Sequence, residues 1–244
     1  MTGKRVLVTG AGRGLGRAIV DSLAARGWEV WATDVAPIDP AESRAAHVGL
    51  LDVGDASAVQ AYFAAASDEG FDALVNNAAI SPLTAWDSLD VDTWERTLRV
   101  NLTGPFLLSQ AFAKAARARG ATSGAIVNLS SVTFFQGNRL GLHYTASKGG
   151  VVALTRSLAV ALAPLGIRVN CVAPGLMRTE GVMAMVDDGI LPGERLTGDQ
   201  DPVRLLPGFT EPAGVADVVA FLLSDDAREM TGQQLVVSGG TFLS

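Results

Sequence analysis

Ten residues into the chain, TGAGRGLG (Thr9 to Gly16) places glycine at every second position from Gly10. The stretch follows KRVLVT, a short β-branched apolar run. It precedes RAIVDSLAARG, in which Ile19, Val20 and Leu23 recur at helical spacing before Gly27 closes the pattern. The glycines therefore form a strand-to-helix turn. Without Cβ atoms the backbone can take positive φ and approach a ligand closely, while the helix behind it offers free N–H groups and the positive end of its dipole. A pyrophosphate suits such a place.

Strand-like runs recur at VLVT, EVWATD, VGLLD, ALVNN, AIVNLS, IRVNCVA and QLVVS, with helical patterns between most of them. This alternation predicts an α/β fold: a doubly wound, Rossmann-type parallel sheet of about seven strands with helices on both faces. At 244 residues, 48% hydrophobic and 18% charged, the chain can bury a large core as a single domain, 1–244, that both binds a dinucleotide and carries the chemistry. Two long helices are expected, from about Val91 to Arg119 and from Tyr144 to Leu165, both apolar on more than one face and so buried, partly against another subunit. Between Gly175 and Pro212 the pattern breaks down, with Met177, Met183, Met185 and Ile190 among Gly, Pro and charged residues, which predicts a substrate lid at about 176–207.

A net charge of −6 without a basic, aromatic-interleaved patch speaks against nucleic-acid binding. The lone Cys171 cannot form an internal disulfide and lies in a strand-like run, where a buried apolar residue is expected. The N-terminus enters the first strand directly, and the most apolar stretch is broken by Arg156, so the expectation is a cytoplasmic protein with no membrane segment and no metal site.

Candidate site residues gather at the carboxyl ends of the strands. Asp34 comes 18 residues after Gly16, near where a dinucleotide fold places an acid that accepts from the adenosine ribose. Asp52-Val53 follows the third strand and Asn76-Asn77-Ala78 the fourth. Tyr144 and Lys148 stand four apart at the head of a long helix, sharing one face, with Ser131 13 residues before the tyrosine. A free phenol titrates near 10, and an acid/base working near neutrality needs it about 2–3 units lower, which a neighbouring cation supplies. Ser131 is placed to donate to a substrate oxygen as charge develops there.

The strict G-x-G-x-x-G spacing fails here, since Leu15 or Arg17 falls in the last place, but Gly10, Gly14 and Gly16 read T-G-x-x-x-G-x-G. Together with Asp52, Asn76-Asn77-Ala78, Asn101, Ser131, Tyr144/Lys148, Pro174-Gly175 with Thr179, and the closing TGQQLVVSGG, this resembles the short-chain dehydrogenase/reductase family along nearly the whole chain. Two departures are Ala79 for the usual Gly and Ser238 for a frequent Asp.

The resemblance implies an NAD(P)-dependent short-chain alcohol dehydrogenase or ketone reductase. Asn101, Ser131, Tyr144 and Lys148 would be catalytic, with Asn101 holding a water that links Lys148 to solvent. Gly10, Arg13, Gly14, Leu15, Gly16, Asp34, Asp52, Val53, Asn77, Ala78, Ala79, Tyr144, Lys148, Pro174, Gly175 and Thr179 would hold the cofactor. Ser131, Thr133, Phe135, His143 and Tyr144 would meet an alcohol or ketone substrate. Asp34 opposes the extra phosphate of NADP and Arg13 favours it; the balance predicts NAD. A homotetramer is implied. One alternative is a reductase of acyl-carrier-protein-bound 3-ketoesters, whose members carry basic residues just before the strand leading to the catalytic serine and just before the glycine opening the next strand; Ala125 and Leu165 stand there. A second is a nucleotide-binding regulator without chemistry, which typically loses the Tyr or Lys that this chain keeps.

Overall fold

The computed structural model describes residues 3–66, 70–189, 204–206 and 209–242. Seven parallel strands form one sheet in the order β3-β2-β1-β4-β5-β6-β7. They are β1 (Arg5–Thr9), β2 (Glu29–Asp34), β3 (His47–Leu50), β4 (Ala73–Asn76), β5 (Gly124–Leu129), β6 (Ile167–Pro174) and β7 (Gln234–Val237). The doubly wound, Rossmann-type architecture predicted from the alternating pattern is the one observed. Ala125, expected just ahead of the strand leading to Ser131, is instead the second residue of β5 and buried.

Side chains alternate across the sheet and fill two layers. Val6 and Val8 face α1 (Gly14–Ala25) and α8 (Pro212–Leu223), meeting Ile19, Leu23, Val215 and Val219. Leu7 and Leu74 face the other layer, with Val59 and Phe63 of α2 (Ala56–Ala65) and Leu108 and Phe112 of α4 (Gly104–Ala118). Also on this face, α6 (Leu142–Leu162) lays Val151 and Val152 against Cys171 of β6. The span Leu142–Leu165 is long and apolar enough to cross a membrane by length and composition. Its contact with the sheet marks it as a core helix.

The first of the two expected long helices is not continuous. α3 (Val91–Leu98) ends in a π turn over Arg99–Thr103, and α4 restarts at Gly104. Pro105 has no N–H, so it cannot give Asn101 O the bond an α-helix would supply, and Gly104 N reaches back to Arg99 O instead. A brief α5 (Thr133–Gln136) separates β5 from α6, and within the expected lid α7 (Glu180–Asp187), capped by Thr179, adds regular structure where none was expected. Most of the lid, with Ile190, lies outside the described residues.

Candidate active site

Strand order reverses between β1 and β4, so the loops leaving these two strands part and open a crevice at the carboxyl edge of the sheet. The glycine turn fills one side of it. Gly10 has φ +62°, and a Cβ there would stand 2.6 Å from Ala78 Cα; a Cβ on Gly16 would strike the Gly10 carbonyl. Asn77 closes this turn by donating through Nδ2 to Thr9 O (3.0 Å) and Gly10 O (2.9 Å). Its amide is thus occupied by the turn, while Ala79 beside it is exposed.

α1 starts with no side chain capping it and no acid in its first turn, a property it shares with α4, α6 and α8; among these, α1 is the one that begins at the glycine turn. Free N–H groups at a glycine-lined helix start suit a phosphate. Gly14 has φ +55°, and its missing Cβ would lie 3.6 Å from Thr179, which joins the base of the expected lid to this turn. Leu15 instead packs toward the α1–α8 core.

Asp34, at the end of β2, accepts from Gly12 N (3.0 Å) and Ala36 N (3.2 Å). Its neighbour Val35 is 72% exposed, and Arg13 is exposed with no side-chain partner among the described residues. Asp52 is exposed and accepts from Gly54 N at 2.8 Å, while Val53 is buried against Gly104. Gly175, following Pro174 at the end of β6, comes close to Ser238 and donates to Val237 O at 2.9 Å.

On the other side of the crevice stands the tyrosine. Tyr144 and Lys148 lie one turn apart on α6, with Lys148 Nζ 5.6 Å from the centre of the Tyr144 ring. Lys148 is 4% exposed and donates to Leu129 O at 2.8 Å; burial pushes its ammonium down to about 8. Tyr144 departs from expectation. Burial holds its phenol above the ordinary value, and a hydrogen bond with Ser131 pulls the other way. The lysine lies over the ring and spends a proton on Leu129 O, so its charge does not offset the phenol's desolvation in this structure.

Asn101 sits in the π turn, buried, with Nδ2 donating to Ile80 O (2.8 Å) and Ser147 Oγ (3.1 Å) and Oδ1 accepting from Ile80 N (2.8 Å). Both Nδ2 protons are thus engaged, and Pro105 leaves the main-chain carbonyl of Asn101 without its α-helical donor. Ser131 Oγ accepts from Thr133 N (3.3 Å) and Thr133 Oγ1 (3.1 Å). Phe135, 43% exposed, lies between Phe134 (4.0 Å) and Phe242 (5.9 Å). His143 is corrected: wholly buried, with Nε2 2.9 Å from Pro82 O, it supports the loop after β4 from behind rather than facing a substrate.

The structure adds residues that motif reading passed over. Ser147 Oγ donates to Tyr144 O (2.7 Å), and Ser130 Oγ to Lys148 O (2.8 Å). Ser147, three residues after Tyr144 on one helix face, was within reach of spacing arguments. Phe242 had no local signal. Among the described residues no group of His, Cys, Asp and Glu could hold a metal.

Fold and site together define a nucleotide-binding α/β protein of the oxidoreductase type. A family model described as enoyl-(acyl carrier protein) reductase matches residues 10–241. The 3-oxoacyl-acyl-carrier-protein reductase FabG of Escherichia coli (strain K12) is 35% identical, covering 99% of this chain and 98% of that one. L-rhamnose 1-dehydrogenase (NAD(P)(+)) of Sphingomonas sp. is 34% identical over 100% of this chain and 98% of its own. Among solved structures, the aldohexose dehydrogenase of Thermoplasma acidophilum superposes with TM-score 0.88 at 31% identity, covering 98% of this chain and 94% of that one. An Agrobacterium tumefaciens protein provisionally described as a 2-deoxy-d-gluconate 3-dehydrogenase, with bound NADP, gives 0.84 at 35%, covering 99% and 97%. The chain belongs to the short-chain dehydrogenase/reductase family and is an oxidoreductase.

Proposed function

We propose that this oxidoreductase interconverts a small secondary alcohol and its ketone, with NAD as preferred cofactor. The observation that carries the reading is the convergence of Tyr144, Ser131 and Lys148 across the crevice from an uncapped, glycine-lined helix start. Bound along that crevice, the nicotinamide dinucleotide would supply the hydride acceptor or donor. The chain's own residues do the rest. Tyr144 Oη takes the alcohol proton or returns it to the ketone oxygen, Ser131 donates to that oxygen, and Lys148, over the Tyr144 ring, would turn its positive charge to the pair once the cofactor is bound. Asn101 O, in the π turn, would seat the water through which protons leave.

The preference for NAD rests on Asp34. A 2′-phosphate would meet its carboxylate, and two like charges about 4 Å apart at an effective dielectric near 20 repel by about 4 kcal/mol. Screening leaves about 2–3 kcal/mol, or about a 30- to 150-fold preference. Exposed Arg13 offsets about 1 kcal/mol or less. Steady-state kinetics with both cofactors test this: a higher kcat/KM with NADP would overturn it, and Asp34→Ala should narrow the gap at least about tenfold.

Relatives named for L-rhamnose and, at 34% identity, galactitol favour a small hydroxylated substrate. The FabG relatives favour the carrier-bound 3-ketoester. Against the second reading, buried Ala125 offers an acidic carrier nothing, Leu165 is apolar, and the net charge is −6. Turnover of an alcohol panel beside a carrier-bound 3-ketoester separates the two, and no turnover of either would leave the regulator. We place the enzyme in the cytoplasm, where a lone buried thiol such as Cys171 stays reduced. Its assembly is a homotetramer, because α4 and α6 leave an apolar groove between Phe106, Leu158, Leu162 and Leu165, with Val160 79% exposed nearby.

A further inference from the structure

We propose that Thr133 is a positioning residue that sets the direction of the Ser131 hydrogen bond, obliging the serine to give its proton toward Tyr144 and the substrate oxygen. The inference deepens the function proposed above and rests on it. A serine hydroxyl has one proton and two lone pairs. In this structure both lone pairs are addressed from one residue: Thr133 N–H reaches Ser131 Oγ at 3.3 Å and Thr133 Oγ1 at 3.1 Å. The amide can only donate, and the Thr133 hydroxyl, 3.1 Å from Ser131 Oγ, completes the pair by giving its proton to the serine, which is the direction the proposal assigns. The amide is fixed by the turn that opens α5, where Val132 N bonds Pro174 O and Gly137 N bonds Thr133 O. In that arrangement Ser131 has only a proton to offer, and the Tyr144 hydroxyl is its hydrogen-bonding neighbour.

The consequence is chemical. A serine that donates to the tyrosine oxygen favours phenolate, whereas a serine that accepts from it favours the neutral phenol. Burial already opposes phenolate at this position, so the direction of this one bond decides how far the tyrosine can be brought back. Other titratable groups leave the Ser131–Thr133 pair alone. On α6, Lys148 donates to Leu129 O and the His143 imidazole meets Pro82 O. On β6, the Cys171 thiol is pushed up to about 11 by burial. Residues 78–86 of the loop after β4 hold no charged side chain, Arg139 is exposed, and Arg178 at the base of the lid lies over Phe209.

The test exploits the chain's two tyrosines. Tyr62 is pushed up to about 12 by burial, so tyrosinate difference absorbance of the full chain, with Tyr144→Phe as blank, isolates the Tyr144 ionisation. The titration is run with and without NAD. Thr133→Val, which keeps shape and the backbone donor but removes the hydroxyl, should move this ionisation up by about 0.5 to 1 pH unit, and Thr133→Ser should restore it. In oxidation of 2-butanol, Thr133→Val should lose about 3- to 10-fold in kcat/KM below the wild-type midpoint and rejoin wild type above it. An unmoved tyrosinate titration in Thr133→Val, or a loss uniform in pH that serine does not rescue, overturns the proposal. If wild type turns over no alcohol, the spectroscopic arm still decides about Thr133 while the proposed function fails.

Discussion

Tyr144 and Lys148 share one helix face yet are held differently: the phenol hydrogen-bonds with Ser131, while the ammonium is drawn down to Leu129 O. Tyr144→Phe removes the proton-transfer group and nothing of the glycine turn. It should cut turnover at least about a hundredfold with the NAD dissociation constant nearly unchanged by fluorescence titration; activity above about a hundredth of wild type would contradict the acid/base role. Lys148 also carries a cost in stability. Its ammonium falls to about 8 in the folded chain against an ordinary 10.5. Between these values the unfolded chain binds more protons than the folded one, so stability rises with pH across that window; below about pH 8 the cost is fully present, at about 3 kcal/mol. Lys148→Met relieves the buried charge but leaves Leu129 O unpaired, at about 1–2 kcal/mol. Urea denaturation should therefore show a variant about 1–2 kcal/mol more stable than wild type at pH 7, with the gain shrinking above about pH 8 and turning into a loss by about pH 10, where only the unpaired Leu129 O remains.

At the level of elements, the glycine turn and the π turn do the positioning. Gly16 lies where a Cβ would collide with the Gly10 carbonyl, whereas Gly181 in α7 has nothing within 4 Å of its would-be Cβ. Gly16→Ala should cost several kcal/mol or abolish cofactor binding. Gly181→Ala should be neutral or stabilising by up to about 1 kcal/mol, since alanine is the better helix former in an open site. Chemical denaturation of the pair checks both, and equal effects would refute the steric account. The π turn was read as ordinary helix because its residues, Val100 and Leu102 among them, keep an apolar helical spacing. Only Gly104-Pro105 hinted at the break, and proline is also common at the start of a helix. What makes the turn useful is Asn101, whose amide clasps both backbone groups of Ile80, a contact across 21 residues of sequence.

For the whole molecule, the exposed face of α4 and α6 is the feature a lone domain leaves unresolved. Phe106 is 42% exposed and Val160 79%, beside a groove of about 290 Å³. Light scattering at micromolar concentration should report a tetramer, and Val160→Asp with Phe106→Asp should break it into smaller species. A stable wild-type monomer would end the idea. Helices that look apolar around much of their circumference are ambiguous in sequence: the same residues serve a core or an interface, and α6 even has the composition of a membrane span.

Local chemistry was enough for the seven strands and most of the helices, though not for the π turn or α7, since period-2 and period-3.6 patterns and glycine punctuation are written in neighbouring residues. It was enough, too, for Tyr144 and Lys148, which one helical turn brings onto a common face whatever the rest of the chain does. The remaining decisions needed partners distant in sequence. Burial of the Tyr144 hydroxyl, the Lys148 bond to Leu129 O, the occupation of Asn77 by the glycine turn, and the withdrawal of His143 behind Pro82 all follow from which strand ends and loops pack together. Desolvation and hydrogen-bond geometry depend on that packing. A motif can therefore name a reacting group, but the folded surroundings set its proton affinity and the direction of its hydrogen bonds.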